Sequence, residues 1–95
     1  MKNRYRIEAM VYFKERYSNI MQGIIDMGLS MGGELLGSGC GTFENSQCDV
    51  QFDFDAESKS KEFREAVKQK YGRKINVSLT LTKQKGERVE NIREI

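Results

Sequence analysis

Apolar and polar side chains alternate along most of this chain, and the period of alternation changes from segment to segment. From residue 5 to 13 the odd positions are Tyr5, Ile7, Ala9, Val11 and Phe13, and the even ones are Arg6, Glu8, Met10 and Tyr12. That is the period-two pattern of a strand with one buried face. Tyr17, Ile20, Met21 and Ile24 then fall at helical spacing. The spacing predicts a helix starting between Lys14 and Asn19, with Asn19 and Gln22 as a capping box and Gly28 as a left-handed C-cap. Two strands are predicted over residues 33–43 and 47–55, flanking a turn of Glu44, Asn45 and Ser46. In the second of them Cys48, Val50, Phe52 and Phe54 alternate with Asp49, Gln51 and Asp53. Asp55 or Ser58 is placed to cap a second helix, in which Phe63, Ala66, Val67 and Tyr71 form an apolar stripe and which Gly72 ends. Ile75, Val77, Leu79 and Leu81 alternate with Asn76, Ser78, Thr80 and Thr82 as a last strand. Residues 83–95 lose this periodicity, apart from a short helical turn expected near Val89 to Ile95.

The order β-α-β-β-α-β resembles the ferredoxin-like α+β fold, in which two helices cover one face of a four-stranded antiparallel sheet. The resemblance spans about residues 4–82 and rests on element order. Right-handed crossovers imply the sheet order 4-1-3-2, with the first and third strands central and the second at an edge. With 95 residues the chain has room for one core. The expectation is a single domain over 1–95, its core at about 4–82 and a charged tail at 83–95.

Charge changes this picture only locally. Sixteen Lys and Arg against fourteen Asp and Glu leave +2, far from the excess that holds a protein to nucleic acid by phosphate neutralisation. Glu44, Asp49, Asp53, Asp55 and Glu57 nevertheless form a stretch free of Lys and Arg, and residues 58–74 then carry seven basic against two acidic residues. No apolar run approaches the length of a membrane span, and a cytoplasmic location with no membrane association is expected.

Six of the nine glycines lie between Gly28 and Gly41. If the hairpin places Cys40 opposite Cys48, then Leu36 lies opposite Phe52 and Ser38 opposite Val50, all facing the helices. Gly37, Gly39 and Gly41 then face outward and leave an edge strand bare, where another backbone can approach. In element order the chain also resembles the PII-like nucleotide sensors, in which a Gly-rich strand follows the first helix. The long loop and basic phosphate cluster of those proteins have no counterpart in the sequence. The two cysteines are within reach of a cross-strand disulfide in this register, but a reducing cytoplasm favours thiols that serve as small buried apolar groups.

The candidate chemistry is limited. The chain has no His, so neither cysteine has an imidazole to activate it, and no metal or other cofactor is expected. Asp49, Asp53 and Asp55 share the outward parity of the third strand, beside Arg6 and Glu8. Without a deep apolar wall, nothing there calls for a raised pKa or for catalysis. The RNA-recognition module shares this topology but reads bases with aromatics on its open sheet; here Phe52 and Phe54 belong to the core, leaving Tyr12. The expected function is therefore a small non-enzymatic protein-binding module of adaptor or inhibitor type. In size and charge it resembles such proteins carried by phages and other mobile elements. Its partner is a protein or its own copy, as a homodimer, and its contacts are Gly37, Gly39, Gly41, Tyr12, Met10, Asp49, Gln51 and Asp53. The alternative is a nucleotide- or nucleic-acid-binding regulatory domain that uses Lys61, Arg64 and Lys68, aligned along the second helix, with the glycine segment.

Overall fold

A computed structural model describes residues 4–41, 47–85 and 87–95. Its elements are β1 (Arg4–Lys14), α1 (Met21–Ser30), β2 (Glu34–Cys40), β3 (Gln47–Phe54), α2 (Glu57–Tyr71), β4 (Ile75–Lys85) and β5 (Arg88–Glu94), with 3-10 turns at Glu15–Ile20 and Gly72–Lys74. The strands form one antiparallel sheet in the order β2-β3-β1-β4-β5. The expected arrangement of the first four strands is present, and a fifth extends it beyond β4. Both helices lie on one face, where Ile24, Phe63 and Val67 meet Ile7, Ala9, Val11 and Phe13 of β1 and Cys48, Val50, Phe52 and Phe54 of β3. The Phe63 ring sits 5.3 Å from the rings of both Phe52 and Phe54, within the range of favourable aromatic pairs.

Several local expectations are corrected. The tail is neither aperiodic coil nor helical: it forms β5, whose residues are all exposed and whose pairing with β4 shifts register between Leu81 and Thr82. A strand with no buried face has no reason to alternate. The register of β2 against β3 is as expected from Cys40 to Gly37. A bulge then puts Leu35, and not Leu36, opposite Phe52. Leu36 consequently lines a small cavity with Arg6, Glu8 and Asp53 on the sheet face away from the helices. The predicted turn at residues 44–46 lies outside the described residues.

The helix ends also differ. A 3-10 turn precedes α1, and Ile20 stands at its N-cap with no side-chain hydrogen bond, so Asn19 and Gln22 form no capping box. Gln22 instead donates to Asp26 at 2.9 Å. Gly28 is buried inside the helix, and the left-handed residue is Gly32, with φ of 88°. Around it the Gly33 N–H reaches the Gly28 carbonyl at 2.9 Å and the Gly32 N–H reaches Leu29 at 3.3 Å. These two bonds are the Schellman closure of a helix. At the start of α2, Ala56 is the N-cap without a side-chain bond; Asp55 accepts from Lys59 at 3.2 Å, and Ser60 donates to the Glu57 carbonyl at 2.7 Å. Cys40 and Cys48 are joined as a disulfide, in place of the free thiols expected.

Candidate functional site

Strand register decides which outward side chains meet. On the face away from the helices, Tyr12 lies opposite Asp49, which lies opposite Gly39. Met10, Gln51 and Gly37 make the next cross-strand row, and Glu8, Asp53 and Glu34 the one after. All eight residues singled out for partner contact therefore fall in one region, since Gly41 follows directly on β2 and donates its N–H to the Gln47 carbonyl at 2.8 Å. Gly37 and Gly39 are bare in the strict sense: among the described residues, a Cβ on either would find nothing within 4 Å. Every residue of β2 is exposed, including Leu35 and Leu36, whereas Tyr12 and Met10 are half-buried.

The third row is held by a charge network. The Arg6 guanidinium lies low on the sheet, only 12% exposed, with Nε donating to Asp53 at 2.8 Å and a terminal nitrogen 3.5 Å from Glu34. Burial raises the Asp53 pKa above the ordinary carboxylate value, Arg6 works in the opposite direction, and Glu34 adds to the rise. A proton held more tightly in the folded chain than in the unfolded one stabilises at low pH, and that contribution is lost as pH rises through the folded pKa. Asp55 lies beyond the strand end, and its pKa is lowered by the Lys59 ammonium that bonds it. Asp49, Asp53 and Asp55 thus have separate surroundings and do not converge on a common point.

The basic stripe on α2 is largely committed to the fold. Lys61 pairs with Glu57 at 3.4 Å, and Arg64 donates to the carbonyl of Ile95 at 3.5 Å. Lys68 borders a cavity of about 390 Å³ shared with Gly72, Arg73 and Asn76. That cavity adjoins a second one of about 450 Å³, which brings Lys14, Arg16, Arg73 and Lys74 together with Tyr12, Tyr17 and Tyr71 and, among the described residues, has no acidic side chain in its lining. The Arg16 guanidinium stands 5.0 Å and the Lys74 ammonium 5.5 Å from the centre of the Tyr17 ring, so the aromatic face helps fix both cations. Among the described residues these four cations make no ion pair, while Arg6, Lys59, Lys61 and Arg93 all do. Sequence reasoning missed this cluster because it is assembled from the end of β1, both 3-10 turns and the start of β4. The Arg73-Lys74 pair directly after Gly72 was the available signal.

Neither a protein-family model nor a curated protein matches the sequence. Among solved structures, the chain is similar to a Thermus thermophilus protein described as PII-like and signaling, with a TM-score of 0.62 and 10% identity over 97% of this chain and 90% of that one. The likeness is one of fold. Among the described residues no helix is long and apolar enough to cross a membrane.

Proposed function

We propose that the chain is a small non-enzymatic binding module of regulatory type, a single folded unit that engages a protein partner through β2 and the bare rows beside it. The observation that carries this reading is the empty space over Gly37 and Gly39, adjoining the half-buried Met10 and Tyr12 and flanked by Asp49, Gln51 and Asp53. Natural sheets usually protect an edge with charges, proline or bulky cover; β2 presents a backbone that an added strand can reach. An adaptor or inhibitor working in the cytoplasm fits that surface, and in such a reducing compartment the bridge between Cys40 and Cys48 would open to two thiols. The test is capture of partners from the native host by the wild-type chain and by Gly39→Arg, side by side. A partner retained by the first and lost by the second, with both chains melting at the same temperature, is the expected result; equal capture overturns it.

A second reading is favoured by the cluster of cations that, among the described residues, have no carboxylate partner. A nucleotide or other phosphate-bearing ligand would find Lys14, Arg16, Arg73 and Lys74 in place of the stripe at Lys61, Arg64 and Lys68, with Tyr12 and Tyr71 beside them. Salt separates the two readings. Binding of a nucleoside triphosphate here should weaken log-linearly with salt, as charge-dominated contacts do, whereas an apolar protein contact should respond little.

A further inference from the structure

We propose that the partner for the β2 edge is a second copy of this chain, paired antiparallel to it about a two-fold axis at Ser38. The inference rests on the reading of β2 as a strand-accepting edge and names what it accepts. Ladder parity is the first argument. The bond from the Gly41 N–H to Gln47 makes 41 and 47 a hydrogen-bonded pair. In an antiparallel ladder such pairs alternate with non-bonded ones. In the observed register Gly39 with Asp49 and Gly37 with Gln51 are then bonded pairs, and Cys40 with Cys48 and Ser38 with Val50 are not. The N–H and C=O groups of Ser38 and Cys40 therefore point away from β3, off the edge of the sheet.

Charge decides the occupant and its direction. Residues 35–41 contain no charged side chain and no proline, so this segment can lie against itself without repulsion. The opposite edge differs: β5 carries Arg88, Glu90, Arg93 and Glu94, the kind of guards that discourage strand addition. The one charge on β2 is Glu34. Parallel pairing would set two Glu34 carboxylates side by side, whereas antiparallel pairing about Ser38 separates them by roughly 26 Å at strand spacing. In that register Ser38 faces Ser38 of the second copy and exchanges two bonds with it. Gly37 faces Gly39, so neither bare row meets a side chain. Leu36 faces Cys40, which brings the exposed Leu35 and Leu36 of each copy over the strand of the other. The contact is isologous, closes as a dimer and leaves β5 free.

Light scattering on the intact chain across a concentration series tests this, alongside Ser38→Pro. Proline deletes an outward N–H that the β2-β3 ladder does not use, which is where edge strands tolerate it. The wild type should show twice the chain mass at high concentration. Ser38→Pro should dimerise about 30-fold more weakly, one donor being lost from each copy, with its melting temperature retained in dilute solution, where neither chain is paired. Should the proline variant fold poorly, amide exchange in the wild type gives the same answer: the Ser38 and Cys40 amides should become protected as concentration rises. A single-chain mass throughout, or a dimer that leaves those amides freely exchanging, overturns the proposal. A synthetic peptide of residues 34–39 distinguishes the two levels of failure. Protection of the same amides by the peptide in a chain that stays single leaves the edge reading standing and removes only self-pairing; no protection removes both.

Discussion

Gly28 and Gly33 lie close along the chain to Gly37 and Gly39, yet the missing side chain does opposite things in the two groups. A Cβ at Gly28 would clash with the tip of the Phe52 ring, and one at Gly33 would stand 2.8 Å from the tip of Phe54 and 3.0 Å from the Gly28 carbonyl. Both rings are fully buried. These two glycines let α1 and the turn after it approach β3 closely enough for Phe52 and Phe54 to fill the space beneath. At Gly37 and Gly39 no described residue occupies the equivalent space. The first pair is a requirement of the core and the second a property of the surface. The distinction lies in what would occupy the Cβ position, since none of these four glycines has a positive φ.

The most damaging way to break the comparison is Gly28→Ala. Overpacking a filled core costs about 3 kcal/mol at the upper end of its usual range, and the better helix propensity of alanine returns about 1 kcal/mol. The net loss of about 2 kcal/mol should lower the melting temperature by roughly 8–16 °C for a chain of this size, read by circular dichroism. The Phe52 ring has nowhere to retreat, being 5.3 Å from Phe63 and 6.1 Å from Phe54. A variant melting with the wild type would show that α1 can shift on the sheet, and the first half of the contrast would be lost.

The two groups were not separable in the sequence. Period-two alternation in the first, third and last predicted strands found β1, β3 and β4, because each buries one face and its pattern records which. The same argument fixed the inward parity of Cys48, Val50, Phe52 and Phe54, and the right-handed crossover rule then gave the order of four strands. It failed for β5, where Val89 and Ile92 are exposed among charges and no buried face imposes a period. It failed again at Leu36, since a bulge is a count of residues on two strands at once and cannot be read from one. Gly28 was expected at a helix end because a glycine near the end of a helical pattern usually caps it; only the position of the Phe52 ring reveals the other role. The candidate surface was legible in part: strand parity puts Tyr12, Met10, Asp49, Gln51, Gly37 and Gly39 on one outward face, but the pairing of Tyr12 with Asp49 and of Met10 with Gln51 needed the register of β1 against β3. The cations at Lys14, Arg16, Arg73 and Lys74 were not, because they meet only once both 3-10 turns have brought the ends of β1 and α2 together.

The smallest effect sharpens the contrast by carrying the opposite sign. Gly39→Thr places a β-branched side chain where no described residue lies within 4 Å, on an edge strand whose neighbour Asp49 is itself exposed. No overpacking term applies. Threonine also gives up less backbone freedom on folding than glycine does, and it is preferred in strands on a scale that spans about 1 kcal/mol. An edge position should realise only part of that, about 0.5 kcal/mol, and raise the melting temperature by roughly 2–4 °C. The measurement belongs at low protein concentration, so that coupling to self-association does not enter the apparent stability. A fall in melting temperature would mean that the space over Gly39 is occupied in solution, either by the chain's own residues or by a second copy held even when dilute. Repeating the melt in Ser38→Pro separates those cases: relief of the penalty identifies the second copy, and its persistence identifies the chain itself.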